Sequence, residues 1–156
     1  MPRNWRWFAT AAAIVVADQA AKWAVLGSFA PGERRALSGF FDLVLVFNKG
    51  AAFSFLADAP GWQTPLFVAF SLVAAVIVSV LLLRSPPQPM FCGGLALILG
   101  GALGNLIDRL RFGQVVDFLD FHALGWHWPA FNVADSAITV GAGLLILEGF
   151  FHEKRR

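Results

Sequence analysis

Residues 62–83 have the sequence WQTPLFVAFSLVAAVIVSVLLL and contain no ionisable side chain. A helix of about 20 apolar residues is long enough to cross the ~30 Å hydrocarbon core of a bilayer. This stretch therefore predicts a membrane-spanning helix, and that helix decides the class of the fold.

Three more stretches of similar length lie on either side, at about 5–26, 90–108 and 129–151, and each carries few charges. The chain of 156 residues is 58% apolar and 14% charged, whereas soluble domains average about 45–50% apolar and ~25% charged. A soluble domain is thereby excluded, and 16 Phe with 6 Trp exclude a disordered chain. We expect an all-α membrane protein, a bundle of four transmembrane helices that forms one integral membrane domain over residues 1–156.

The connections 27–61 and 109–128 contain two stretches that are typical of strands. Residues 40–47 (FFDLVLVF) and 115–121 (VVDFLDF) are rich in Val and Phe and far too short to span a bilayer. We expect them to pair in a small β-sheet on the membrane surface. Residues 51–57 (AAFSFLA) predict a short interfacial helix with its phenylalanines in the headgroup layer.

Basic side chains indicate the orientation of the helices. They are densest in the N-terminal flank, the loop 84–89 and the C-terminal tail, which hold Arg3, Arg6, Arg84, Lys154, Arg155 and Arg156. Flanks rich in Lys and Arg stay on the cytoplasmic side of a membrane. We therefore expect both termini in the cytoplasm and the segments 27–61 and 109–128 outside it. A net charge of +2 does not indicate a nucleic-acid partner.

Three carboxylates lie near one depth of the bilayer. At ~1.5 Å per residue, Asp135 and Asp18 lie roughly 9 Å and 12 Å from the outer ends of their predicted helices, and Asp108 lies at the outer end of its helix. A charge at such a depth costs a few kcal/mol or more, so these side chains face the bundle interior and usually have a role. Lys22 follows Asp18 by four residues on the same helical face, where the two can pair.

Amide side chains accompany these acids. Asn105 shares a helical face with Asp108, and Asn132 shares one with Asp135. The glycines beside Asn105 give the third helix a surface for close packing. This spacing predicts a polar pocket between helices that opens towards the outer leaflet, although both asparagines can equally serve as hydrogen bonds between helices.

The charged residues also have structural interpretations. Asp18 with Lys22 is most simply a buried pair that locks the first helix to its neighbours. Asp108 directly precedes Arg109, so we expect an ion pair between these two residues at the interface. Asp135 is the hardest acid to explain in this way, because no basic residue lies within one helical turn of it.

The predicted strand over 115–121 adds two further acids, Asp117 and Asp120. Successive residues of a strand point to opposite faces, so two residues three apart also lie on opposite faces. At most one of these two acids faces the pocket, and the spacing does not decide which.

The remaining polar residues suggest no other chemistry. His122, His127 and His152 have no metal-ligand spacing, so we predict no metal site and interpret them as interfacial polar groups. No hydroxyl of the predicted pocket has a base beside it. Two neighbouring carboxylates cannot both ionise, so one keeps its proton while the other activates water, as in an aspartyl peptidase. The residues alone leave three alternatives: this hydrolase, a small transporter or channel, and a non-catalytic helix scaffold.

Five motifs carry a family resemblance: DQAAKW at 18–23, FNKGAAFSF at 47–55, GGALGNLIDR at 100–109, VVDFLDF at 115–121 and FNVADSAI at 131–138. With these motifs in this order, the chain resembles the bacterial lipoprotein signal peptidases (signal peptidase II) over nearly its whole length. The resemblance implies a peptidase of the bacterial cytoplasmic (inner) membrane. Its substrate would be a prolipoprotein held among membrane lipids and cut just before the cysteine that carries a diacylglyceryl group. We further expect a monomer and no cofactor.

The resemblance also implies roles for individual residues. Asp117 of VVDF and Asp135 of FNVAD would form the catalytic pair. The residues that match positions lining or supporting the substrate site are Asn48, Gly50, Asn105, Arg109 and Asn132. Asp18 and Lys22 match a pair that supports the fold, and we expect Asp108 to be a structural polar residue as well.

Overall fold

The computed structural model describes residues 4–50 and 61–153. The predicted interfacial helix over 51–57 lies outside these residues. In chain order the elements are α1 Trp5–Leu26, β1 Arg34–Ala36, β2 Phe41–Asn48, α2 Gln63–Arg84, α3 Pro89–Phe112, β3 Val115–Ala123, β4 Trp126–His127 and α4 Val133–Glu153. The predicted class, four transmembrane helices with a small sheet, is confirmed.

All four helices in the described part of the chain are long and apolar enough to cross a membrane. Helix α3 lies at the centre, because it packs against α1, α2 and α4. Helix α2 packs mainly on α3 and leaves aliphatic side chains such as Val73, Val76 and Ile77 more than half exposed. Exposed apolar surface of this extent suits contact with lipid tails.

Glycines let α3 and α4 approach each other closely. A Cβ added at Gly94 would lie 2.8 Å from the backbone oxygen of Gly141, and one added at Gly101 would collide with the backbone oxygen of Ala134. Only glycine leaves room for such contacts between backbones. This packing holds the start of α4 firmly against α3.

Helix α3 is longer than the sequence predicts. It continues past residue 108 to Phe112 and ends where Gly113 adopts a left-handed conformation with φ of 70°. Glycine is the usual residue at this position after a helix because it carries no Cβ. Asp108 and Arg109 therefore lie within the last turns of α3.

Helix α4 begins later than residue 129, so the prediction that Pro129 opens it is wrong. The chain before α4 is extended instead, and Phe131 pairs with Leu119 of β3 through backbone hydrogen bonds of 2.9–3.0 Å. Asn132 then caps the helix, because its Oδ1 accepts a hydrogen bond from the backbone N–H of Asp135 at 2.9 Å. Asparagine is among the best residues for this role.

The sheet is antiparallel with strand order β1-β2-β3-β4. Its central strands β2 and β3 match the predicted strands over 40–47 and 115–121, and they pair as predicted. The two outer strands were not predicted, because they have only three and two residues and no alternating apolar pattern. Apolar residues on one face of the sheet pack with the end of α1, and this core consists of Val25, Leu45, Val116 and Phe118.

A β-bulge in β2 matters for the position of the site. Leu43 pairs with Leu119, whereas Val46 pairs with Asp117, so β2 contains one extra residue between these pairs. One extra residue moves the following side chains to the other face of the strand. Beyond the bulge, Asn48 therefore lies on the same face of the sheet as Asp117.

Candidate active site

A cavity of about 460 Å³ lies between the sheet, α3 and the start of α4. Six of the predicted site residues line it: Asn48, Gly50, Asn105, Arg109, Asp117 and Asp135. The rest of the lining is mostly apolar and consists of Val115, Trp128, Pro129, Ala130, Phe131, Ser136, Thr139 and Val140. The cavity thus combines a small polar group with an apolar wall.

Asp117 projects into the cavity from β3 and is only 2% exposed. Its Oδ1 accepts a hydrogen bond from Nδ2 of Asn132 at 2.8 Å, and its Oδ2 accepts one from Nδ2 of Asn48 at 3.2 Å. Burial, followed by the nearby carboxylate of Asp135, raises the pKa of Asp117 to about 7 although the two amides oppose this shift. Asp117 therefore keeps its proton up to near-neutral pH.

Asp135 lies in the first turn of α4, where Asn132 caps the helix. Oδ1 of Asp135 accepts a hydrogen bond from Nδ2 of Asn105 at 2.8 Å. Asn132 is fully buried and contacts both acids, because its Nδ2 donates to Asp117 while its Oδ1 holds the N–H of Asp135. One asparagine thus ties the strand that carries one acid to the helix that carries the other.

Arg109 and Asn48 hold the chain at the edge of the cavity. Nη2 of Arg109 donates to the backbone oxygen of Gly50 at 3.1 Å, and its guanidinium lies 5.2 Å from the ring centre of Phe67. Oδ1 of Asn48 accepts a hydrogen bond from the N–H of Gly50 at 2.8 Å. Gly50 is therefore bound on both its backbone groups, which places it where the polar side chains converge.

Lys22 is 1% exposed and lies between two carboxylates. Its Nζ is 2.7 Å from Oδ2 of Asp18, as predicted, and also 2.7 Å from Oδ2 of Asp108. The expected ion pair between Asp108 and Arg109 is wrong. Adjacent residues of a helix do not face each other, so Asp108 points towards α1 while Arg109 points into the cavity.

Gln19 is a half-buried partner that sequence reasoning missed. Its Nε2 donates to Oδ1 of Asp108 at 2.9 Å and to the backbone oxygen of Gly104 at 3.2 Å, and it also contacts Asp18. Its place beside Asp18 in DQAAKW was the available signal. A polar side chain next to a buried acid is rarely left facing lipid.

A second charged group on the sheet, which we call the sheet cluster, was also not predicted. Arg34 binds both Asp42 and Asp120, with Nη1–O distances of 2.8 Å and 2.7 Å. His122 contacts Asp42 at 3.1 Å, and His127 contacts Asp120 at 2.8 Å. Asp120 thus lies on the face of β3 opposite to Asp117, as the alternation of strand residues requires.

The histidines of the sheet cluster do not assemble a metal site. Within residues 4–50 and 61–153, no three His, Cys, Asp or Glu side chains are grouped as metal ligands. The site residues themselves are carboxylates, amides and one guanidinium, which can exchange protons with a bound substrate and donate hydrogen bonds to it.

Known proteins with similar sequences identify the family. Residues 10–151 match the family described as Signal peptidase (SPase) II. The chain belongs to this family. It is 56% identical over 150 residues to a lipoprotein signal peptidase of Paraburkholderia phymatum, an alignment that covers 96% of this chain and 88% of the relative. It is 58% identical over 142 residues to that of Paraburkholderia phytofirmans, covering 91% and 83%.

Two solved structures of bacterial membrane enzymes share the fold of this chain. A bacterial membrane enzyme determined by the in meso method at 2.3 Å resolution superimposes with a TM-score of 0.87 and 25% identity, covering 97% of this chain and 91% of that one. A second such enzyme, determined at 1.9 Å resolution, superimposes with a TM-score of 0.80 and 28% identity, covering 92% of this chain and 91% of that one. The chain is therefore a multi-pass membrane protein of a peptidase family, which favours the hydrolase over the transporter and the scaffold.

Proposed function

We propose that this chain is an intramembrane aspartyl endopeptidase that removes signal peptides from prolipoproteins. The observation that carries the proposal is the meeting of Asp117 and Asp135, which we call the aspartate pair, in one largely apolar cavity. The two acids come from different elements, and both bind Asn132. The relatives are named lipoprotein signal peptidases, which supplies the class of substrate.

The two acids divide the chemistry between them. Asp117, with its pKa raised to about 7, holds a proton and donates it to the carbonyl oxygen of the scissile bond. Asp135 is the ionised partner and accepts a hydrogen bond from Asn105. It takes a proton from the attacking water. The tetrahedral intermediate then breaks down as its C–N bond is cleaved: the leaving nitrogen takes the proton that Asp135 holds, and Asp117 takes back a proton from a hydroxyl of the intermediate. The signal peptide is released with a free carboxyl group, without a covalent link to the enzyme.

The cavity also suits the lipid carried by the substrate. Its apolar wall accepts acyl chains, while Asn48 and Arg109 face the peptide beside the cut. We propose that the cut lies just before the cysteine that carries the diacylglyceryl group. The signal helix and the acyl chains would then both approach through the membrane, and the sheet would shelter the aspartate pair from bulk water.

The basic flanks support a definite orientation. With both termini in the cytoplasm, the sheet and the cavity lie on the extracytoplasmic side of the bacterial inner membrane. We propose that membrane lipid surrounds a single chain, which by itself supplies the residues that line the cavity. The substrate, already lipidated, would reach the cavity sideways from the outer leaflet.

The test uses one purified prolipoprotein in two forms, with and without the diacylglyceryl group on its cysteine. We expect the enzyme to shorten only the lipidated form, and mass spectrometry should find the cysteine as the new N-terminal residue. Cleavage at another bond would refute the assigned cut. Cleavage of neither form would refute the proposed function and return the transporter to consideration.

A further inference from the structure

Lys22, Asp18 and Asp108 form a buried group that we call the buried triad, and the triad is bonded to the backbone at two places. Oδ1 of Asp18 accepts a hydrogen bond from the N–H of Ala134 at 2.9 Å. Oδ2 of Asp108 accepts one from the N–H of Val116 at 3.1 Å. Each of these N–H groups belongs to the residue immediately before one member of the aspartate pair.

The triad also reaches the aspartate pair through a side chain. Nζ of Lys22 donates to Oδ1 of Asn105 at 3.1 Å. An ammonium group can only donate, so Oδ1 of Asn105 must face Lys22 and its Nδ2 must face Asp135. The cation thereby fixes which end of the amide is presented to Asp135, and the resulting bond is 2.8 Å long.

We propose that the buried triad is a positioning device for the aspartate pair, beyond its support of the fold. It rests on the proposed aspartyl mechanism and assigns Lys22, Asp18 and Asp108 a role in catalysis without contact with substrate. Asp18 fixes the start of α4, Asp108 fixes β3, and Lys22 joins the two carboxylates. The separation of the aspartate pair is thus set by one ion-paired unit.

The packing around the triad leaves little room for adjustment. A Cβ added at Gly104 would lie 2.7 Å from Oδ2 of Asp18 and 3.3 Å from the Cβ of Ala134. Gln19 occupies the remaining side of both carboxylates. Because side chains in such interiors cannot shift freely, a change in the triad is passed to the backbone beside the aspartate pair.

Two substitutions of equal size separate positioning from stability. In Asp108→Asn, one oxygen can still accept from both Lys22 and Val116, because Oδ2 alone makes both contacts. The contact that this variant loses is the side-chain hydrogen bond from Gln19 to Oδ1, not a bond to the backbone beside the aspartate pair. In Asp18→Asn, one contact must be lost, because Oδ2 binds Lys22 whereas Oδ1 binds Ala134. Both variants remove one negative charge beside Lys22, so their electrostatic cost is matched.

The experiment measures kcat and KM with the lipidated prolipoprotein as substrate. The concentration of enzyme used for kcat is that of folded protein, with the folded fraction taken from thermal unfolding. We expect kcat of Asp18→Asn to be at least about tenfold below that of Asp108→Asn, with KM unchanged, since a 1 Å misplacement costs ~10²-fold. Asp42→Asn in the sheet cluster is the control and should keep native kcat. Equal kcat in Asp18→Asn, Asp108→Asn and the native protein would overturn the proposal.

A second pair of variants keeps the test decisive if Asp18→Asn does not fold. Gly104→Ala pushes on the Asp18 carboxylate, whereas Gly94→Ala pushes on the backbone of Gly141, away from the triad. We expect Gly94→Ala to lower Tm at least as much as Gly104→Ala does. Only Gly104→Ala should lower kcat. If kcat fell in proportion to Tm in both variants, the buried triad would have a structural role alone, which would overturn the proposal. A native protein that cleaves nothing would instead contradict the proposed function.

Discussion

The buried triad and the sheet cluster have the same core composition, one cation between two carboxylates, yet they lie in different surroundings. Lys22 is 2.7 Å from each of its acids with its side chain 2% exposed. Arg34 is 2.7–2.8 Å from its acids with its side chain 43% exposed. Distance alone therefore does not distinguish the two groups, whereas the exposure of the cation does, since the carboxylates of both groups are buried.

The difference shows what a charged group needs inside a membrane protein. Removing ions from water costs several kcal/mol each, which is offset only when every polar atom finds a partner. The triad meets this requirement with the backbone N–H groups of Ala134 and Val116, so it is tied to the residues beside the aspartate pair. In the sheet cluster, His122 and His127 contact the carboxylates instead, and the Arg34 side chain is 43% exposed.

Replacing the cation of each group by an uncharged residue should give the largest difference in stability between the buried triad and the sheet cluster. Lys22→Met leaves two unpaired buried carboxylates, which should cost about 3–5 kcal/mol and lower Tm by about 10 °C or more. Arg34→Met should lower Tm less, because the Arg34 side chain is 43% exposed and the two carboxylates keep His122 and His127 as partners. Thermal unfolding in detergent measures both, and adding Asp18→Asn and Asp108→Asn to Lys22→Met should recover part of the loss. Equal shifts for the two cations would contradict the distinction.

The pH dependence of cleavage tests the electrostatics of the cavity. Because the pKa of Asp117 is raised to about 7, kcat/KM should fall above pH 7, by about tenfold per pH unit once the proton is lost. The hydrogen bond from Asn48 lowers this pKa. The Asn48→Ala variant should therefore move the fall in activity to higher pH. A pH profile that is flat between 6 and 9 would refute the role of Asp117 as proton donor.

The carboxylates on the two faces of the sheet should affect stability in opposite directions. Folded Asp117 keeps its proton to about pH 7, whereas the unfolded carboxyl releases it near 3.8, so folding is disfavoured as pH rises between these values. The difference in Tm between Asp117→Asn and the native protein should thus become more positive from pH 5 to pH 8. The hydrogen bond from Arg34 lowers the pKa of Asp42. Asp42 therefore stabilises the fold above pH 3.8, and this contribution is lost as pH falls through the lowered pKa.

The smallest expected effect belongs to the edge of the sheet cluster. His127→Ala removes one contact to Asp120, but Arg34 still binds that carboxylate. Because the imidazole is 44% exposed, water can replace it, and Tm should change by about 2 °C or less. A loss as large as that of Lys22→Met would show that the sheet cluster is also sealed from water.

Local features of the sequence predicted the helices and central strands better than they predicted which residues of these elements contact one another. Length and hydropathy placed the four helices, and Val-rich and Phe-rich runs placed the central strands. The start of α4 was misplaced because Phe131 pairs with Leu119 of β3, a contact that no local pattern contains. Strand alternation separated Asp117 from Asp120 but could not choose between them, and the family motifs supplied that choice.

Contacts distant in the sequence explain the rest of what was missed. Asp18 binds the N–H of Ala134 across 116 residues, and Gln19 reaches Asp108 across 89. The pairing of Lys22 with Asp108 also depends on how α1 and α3 pack. Sequence reasoning identified the charged residues, and only the packing showed that the triad holds both segments that present the aspartate pair.

The most direct test of the central claim compares three single substitutions of an acid by its amide. Asp117→Asn and Asp135→Asn should each lower cleavage of the lipidated prolipoprotein by at least about 10³-fold. Asp120→Asn, on the same strand as Asp117 but facing the sheet cluster, should stay within a few fold of the native rate. Substantial cleavage by either Asp117→Asn or Asp135→Asn as a folded protein would contradict the account.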